Sequence, residues 1–412
     1  MRRVALATVI AAVSGYLVLL IAARALGAEG YAAFAVFWAA YGLVTGTQNG
    51  QLQETTRAVR GARISGADGP RPMPLNVAVG VGLALVVAVT SIGWAGAVFE
   101  WYRIESVVLL AAGVAAFGIY AGLGGMLSGL GRWGPFATLL IVDAVIRLVL
   151  TVIAAIAGWG LLAFLVMTIA GTVSSAVVVL CLRPARTALG AGGDVRVPEL
   201  ARNTVTAMAA ALASAVLVMG FPVLIKLTTS GDLDSVAGAV ILAVTLTRAP
   251  LLVPLNSFQG VLISRFVENR DRVLQALSAP LLIVAGVGVV GAVAAWLIGP
   301  WLLETLFGAD YRLSGSTIAA LTIGAMAMAV LTLTGAMALA IGRHRLYAAG
   351  WWVATAASIA LLFIPADLEA RVSIALIAGP LLGMAVHLWA VRSRSADHVS
   401  AERDGDRPLP AE

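Results

Sequence analysis

The chain has 412 residues, of which 60% are hydrophobic and 12% charged, with a formal net charge of +6. An ordinary soluble domain is about 25% charged, and a single soluble core stops growing beyond about 250–300 residues, so a water-surrounded fold is excluded and lipid must be the solvent for most of the surface. The cations lie in short loops between apolar runs and not on one polar face, which excludes nucleic acid as the expected partner.

A membrane-spanning helix needs about 20 largely apolar residues, and on that criterion twelve segments follow in chain order. The first, 4–23, follows Arg2 and Arg3. Its run is too long for a secretory signal and eleven similar runs come after it, so it is expected to remain as an uncleaved helix. The next five are 31–50, 75–99, 106–128, 136–157 and 161–182. A polar stretch at 183–202 separates them from 203–225, 234–255, 273–299, 313–340, 347–365 and 372–391. Runs such as 281–297 do not alternate apolar and polar residues, so barrel strands are excluded.

The expected fold is therefore an all-α polytopic membrane protein with about 12 transmembrane helices. It divides into an N-terminal six-helix lobe over 1–192, a C-terminal six-helix lobe over 193–391 and a disordered cytoplasmic tail over 392–412. Six is even, so the two halves enter from the same side and any repeat is parallel. Twenty arginines fall at the N-terminus, in the loops after even-numbered segments and in the tail, against five cations in the opposite loops. That asymmetry predicts a plasma-membrane protein with both termini in the cytoplasm. Trp94, Trp101, Trp159, Trp296 and Trp301 lie near segment ends, where interfacial anchoring and plain packing both account for them.

A charge inside the hydrocarbon costs at least about 2.5–3.5 kcal/mol on insertion scales, so each one is a functional candidate. Asp143 and Arg147, one helical turn apart in the fifth segment, can form an ion pair, with a structural and a functional role both open. Arg248 in the eighth segment has no acid within its own helix and is expected to face water or an anionic ligand. Arg24 and Lys226 close the first and seventh segments, where snorkelling to the interface is the plain alternative to a functional role. Glu54 and Arg57 lie just beyond the second, and Arg57 also adds to the positive-inside charge.

Pro222, Pro250, Pro254 and Pro280 each remove a helix hydrogen bond and predict kinks or local unwinding. Gly125 and Gly129, beside Gly122 and Gly124, predict close helix packing. Cys181 is the single cysteine, and His344, His387 and His398 are scattered, so neither a disulfide nor a metal site is expected, and no cofactor. The sequence has no P-loop, no HExxH, no GxSxG and no soluble domain able to hold a nucleotide, so an enzyme is not expected.

Several stretches resemble one family. Ala22-Ala23-Arg24-Ala25-Leu26-Gly27-Ala28-Glu29-Gly30-Tyr31 is similar to the A-R-x-L-G-x-x-x-Y-G element of polysaccharide flippases, within the multidrug/oligosaccharidyl-lipid/polysaccharide exporter superfamily. Asp143 to Arg147, Gly220-Phe221-Pro222-Val223-Leu224, Arg248-Ala249-Pro250 with Pro254, and Leu306-Phe307-Gly308-Ala309-Asp310-Tyr311 agree in order and spacing. Ala32 departs from the glycine usual after the tyrosine, and the last two segments carry no recognisable motif. The resemblance implies a V-shaped bundle of two six-helix lobes around a central cationic cavity. It implies a flippase that moves a polyprenyl-diphosphate-linked oligosaccharide from the inner to the outer leaflet for cell-surface polysaccharide assembly. Arg248, helped by Arg24, Arg57 and Arg147 with its neighbour Asp143, would hold the diphosphate while the tail stays in lipid. Expected partners are the lipid-linked anionic oligosaccharide, membrane lipids, and a glycan polymerase or other envelope-assembly proteins. A cation-coupled drug or metabolite antiporter of the same superfamily and a membrane subunit of a glycan polymerase are the competing readings.

Overall fold

In hydrocarbon every backbone N–H and C=O must find its partner within the protein, and helices achieve this locally. The computed structural model describes the backbone of residues 2–229, 231, 233–268 and 272–405. Among these residues the regular elements are all helical.

The first, α1 (Arg2–Ser65), carries both of the first two expected segments, with a kink instead of a loop between them. The break is at Gly27, whose φ of 69° and ψ of 176° lie in a region open essentially to glycine alone. The next three, α2 (Met73–Val98), α3 (Arg103–Gly129) and α4 (Trp133–Ile156), each match one expected segment. The sixth segment is α5 (Leu161–Ala170) and α6 (Ser174–Cys181), joined by a 3-10 turn over Gly171–Val173, and the short α7 (Arg183–Ala188) follows. The seventh is broken into α8 (Val197–Val218) and α9 (Phe221–Thr228) at Pro222. After it come α10 (Ser235–Glu268), α11 (Val273–Phe307), a 3-10 turn over Ala309–Tyr311, α12 (Gly315–Ala340), α13 (His344–Leu361) and α14 (Leu368–Gly405).

Among the described residues ten helices are long and apolar enough to cross a membrane, which makes this an all-α polytopic membrane protein. Of the prolines expected to unwind a helix, Pro222 does so, whereas α10 and α11 continue through Pro250 and Pro280. The side chain of Pro254 lies outside the described residues, as do Arg270 and the last part of the tail, 406–412.

The chain packs as two units. The first comprises Met1–Ala249 with Leu297–Gly315. Its core includes Val59, Leu123, Met126, Leu127, Leu139 and Val178, all at most 1% exposed. Gly125 and Gly129 bring α3 against α1: a Cβ on Gly125 would lie 2.6 Å from that of Thr55, and one on Gly129 2.8 Å from that of Val59. The second unit comprises Pro250–Trp296 with Ser316–Glu412. There α12 is buried along most of its length, and Gly324 fits against Leu376 of α14. Each unit turns large apolar side chains outward, Ile92 of α2 and Leu282 of α11 among them. Such surfaces are a liability in water and the requirement in lipid.

Candidate functional site

Arg248 lies on α10 in the first unit, and its setting follows from the break in the seventh segment. A proline has no N–H for the carbonyl four residues before it, and its ring crowds that carbonyl. For Pro222 that carbonyl belongs to Val218, the last residue of α8. Nη1 of Arg248 donates to the Val218 carbonyl at 3.1 Å, so the arginine takes up the acceptor that the proline leaves free. The guanidinium carbon stands 5.3 Å from the centroid of the Phe221 ring, which offers its negative face to the cation. Arg248 is 7% exposed, and its Nη2 has no hydrogen-bond partner. No carboxylate pairs with it among the described residues.

Asp143 and Arg147 meet across one turn of α4 at 3.0 Å. The Arg147 guanidinium stands 5.3 Å from the Trp38 ring centroid, and its Nε is buried without a partner. The pair sits against Gly171 in the 3-10 turn, where any side chain would collide with the Asp143 carboxylate. Arg147 is therefore neutralised inside the protein.

Arg57 is held by Glu54 on its own helix at 2.7 Å and by Asp194 at 2.9 Å. The hydrogen bonds that it donates to Glu54 first, then to Asp194, hold its guanidinium above the ordinary arginine range. Arg24 donates to the carbonyl of Leu306. Beside it the Tyr311 hydroxyl donates to the Ala23 carbonyl at 2.8 Å, and the Tyr31 and Tyr311 rings pack edge to face. The stretches 22–31 and 306–311, far apart in sequence, thus meet at the Gly27 kink. Of the five candidate residues the structure brings Asp143 and Arg147 together. Arg24, Arg57 and Arg248 each have their own partners, and no contact among the described residues joins them.

Lys226 does not snorkel. It is 7% exposed and forms an ion pair with Glu100, 9% exposed, in the turn between α2 and α3. Nζ also donates to the Gly231 carbonyl, and Glu100 accepts the backbone N–H of Leu233. The sequence reading missed Glu100, which looks like an interfacial acid at a segment end. It also missed a buried amide group. The Gln48 side chain donates to the Val114 carbonyl at 3.1 Å, that of Gln51 to the Asn76 carbonyl at 3.2 Å, and that of Asn76 to Thr55 at 2.9 Å. Polar side chains recurring within 41–55 are the signal that points to them.

No family model matches the chain. Among curated proteins it is similar to "Uncharacterized protein Rv3630" of Mycobacterium tuberculosis, at 47% identity over 393 residues, covering 94% of this chain and 91% of that one. "Uncharacterized protein Rv1510" of the same organism is 47% identical over 395 residues, covering 95% and 91%. Among solved structures, the "inward-facing conformation of a multidrug resistance MATE family transporter of the MOP superfamily" superposes with a TM-score of 0.76 at 14% identity, covering 96% of each chain. The outward-facing conformation of such a transporter gives 0.65 at 17% identity, covering 96% of this chain and 95% of that one. A Pyrococcus furiosus MOP superfamily transporter, described by the "reverse polarity" of its binding pocket, gives 0.63 at 19%, covering 95% and 94%. With a fold like that of these transporters, and near half-identity along almost its whole length, the chain belongs to the family of the mycobacterial proteins Rv3630 and Rv1510.

Proposed function

We propose that the protein is a membrane transporter that flips a polyprenyl-diphosphate-linked oligosaccharide from the inner to the outer leaflet of the plasma membrane, with both termini cytoplasmic. The observation that carries this reading is Arg248: a buried guanidinium held by the neutral Val218 carbonyl, with no acid paired to it among the described residues and with Nη2 free to donate. A buried charge without a partner is costly, and a phosphate oxygen is the acceptor whose geometry a guanidinium fits best. The reversed pocket polarity reported for the Pyrococcus furiosus transporter supports the idea that this fold accepts ligands of more than one sign. The orientation rests on the twenty arginines of one side against five cations of the other.

A cation-coupled multidrug antiporter is the second reading, favoured by the multidrug transporters among the fold neighbours. It needs a membrane-embedded acid free to exchange its ion, and Asp143 is committed to Arg147.

The test is reconstitution of the full chain in vesicles with a fluorescent lipid-linked oligosaccharide whose outer-leaflet fraction is bleached by a membrane-impermeant reductant. The expected result is flipping that Arg248→Ala reduces about ten- to a hundredfold, the loss of a charged hydrogen bond worth about 1.5–3 kcal/mol, with membrane abundance unchanged. Normal flipping by the variant would sink the role of Arg248. Absence of flipping together with dye efflux driven by a cation gradient would establish the second reading instead.

A further inference from the structure

The first unit has a groove that the transport reading does not use. A cavity of about 380 Å³ opens between the start of α1, the first turns of α4 and the junction of α6 with α7. Its walls are largely apolar, from Leu6, Pro135, Ile141 and Leu182, and Thr138 and Arg3 also line it. Leu6 is 62% exposed, so the groove opens to the surroundings of the bundle. In a bilayer those surroundings are hydrocarbon, and a void of this size beside apolar walls forfeits contacts unless a chain fills it.

The charge at the groove has one sign. Nη1 of Arg3 lies 3.8 Å from where a Cβ on Gly134 would be. Arg132, just before α4, is tied to the Pro184 carbonyl and to the Thr187 hydroxyl at 2.7 Å, both neutral partners, so its charge is not cancelled there. Arg183 lies between Leu182 and Pro184, two wall residues, and is exposed. Among the described residues no acid lines the cavity. All three arginines belong to the arginine-rich face of the chain, where anionic lipid headgroups attract juxtamembrane cations.

We propose that this groove is a binding site for one anionic phospholipid, its acyl chain along Leu6 and Ile141 and its phosphate held by Arg3 and Arg132. Charge complementarity selects the occupant: an apolar slot alone accepts any lipid, whereas a slot with Arg3 in its lining, Arg132 and Arg183 beside its lining residues and no acid among the described residues favours a negative headgroup. The site is separate from Arg248 and stands whatever the transported substrate is.

The experiment is native mass spectrometry of the full chain, purified in detergent and titrated with phosphatidylglycerol or phosphatidylcholine of matched acyl chains. The wild-type protein is expected to retain phosphatidylglycerol at least fivefold better. Arg3→Gln should lower phosphatidylglycerol retention about fivefold, the share of one cation near the headgroup, and leave phosphatidylcholine unchanged. Thr138→Phe, which puts a large side chain on the lining, should lower both. Equal retention of the two lipids by the wild type, or wild-type retention by Arg3→Gln, overturns the proposal. Because Arg3 is exposed and Arg3→Gln leaves the packing intact, that variant decides even where Thr138→Phe fails to fold.

Discussion

Replacing Lys226 by Ala isolates the energetics of a charge pair that the bundle has swallowed. In the native protein Glu100 and Lys226 are 9% and 7% exposed, and their side bonds to the Leu233 N–H and the Gly231 carbonyl use further polar capacity. Were the pair at the surface, its loss would cost at most about 1 kcal/mol. Buried, the variant leaves a carboxylate with the Leu233 N–H as its remaining bond, and the penalty is that of an uncompensated charge, about 3–5 kcal/mol. The double variant Glu100→Gln with Lys226→Met keeps an acceptor for Leu233 and the apolar volume of the lysine stem, and should fall near the wild type, since well-packed neutral replacements of buried pairs are neutral or stabilising. Unfolding by sodium dodecyl sulfate in mixed micelles, followed by circular dichroism, measures all three. A loss under 1 kcal/mol for Lys226→Ala, or a double variant weaker than the single, would show that water reaches the pair and would refute the reasoning.

Three further outcomes follow from local geometry. Gly27→Ala should destabilise by about 1–3 kcal/mol in the same assay. Nothing lies within 4 Å of the added Cβ, so the whole cost is conformational, and Gly82→Ala, in the α2 interior with equally open space, should instead stabilise by up to about 1 kcal/mol. Gly350→Ala drives a methyl into the His387 ring, which is pinned by Thr334 and by the Tyr347 carbonyl at 3.1 Å each, and should cost about 1–3 kcal/mol as overpacking. Asp143→Asn should lower the amount of protein in the membrane more than Asp143→Asn combined with Arg147→Gln, because the single change strands Arg147 at a cost of about 2.5–3.5 kcal/mol; equal yields in quantitative blots of membranes would contradict this.

Helix identity was legible because lipid imposes it: a run of 20 apolar residues has one way to satisfy its backbone. Gly125 and Gly129 were legible for a similar reason, since a helix face without side chains has little to offer but close approach. The Asp143–Arg147 pair followed from spacing alone, being local to one helix. What spacing cannot deliver is partners distant in sequence. Glu100 lies 126 residues from Lys226 and Asp194 lies 137 from Arg57, and neither pairing leaves a local trace. Prolines were only half informative. Pro222 breaks its helix, whereas Pro250 and Pro280 lie in continuous ones, because neighbouring groups can absorb a missing N–H and the sequence does not name those neighbours.

Pro222 and Arg248 show how two weak signals become one strong one. A proline in an apolar helix is common, and a lone arginine near a membrane has several plain explanations. Once Arg248 is seen to donate to the carbonyl that Pro222 cannot satisfy, each accounts for the other, and removing Arg248 leaves the Val218 carbonyl without that donor. The same accounting sorts the charges within the expected spans. Asp143 and Arg147 cancel, so they hold structure at little electrostatic cost. For Arg248 the carbonyl and the Phe221 face provide a dipole and a quadrupole, and no negative charge among the described residues pairs with it. Partial compensation of that kind keeps a guanidinium in place while leaving it in need of an anion, and that need ties the fold to the proposed diphosphate headgroup.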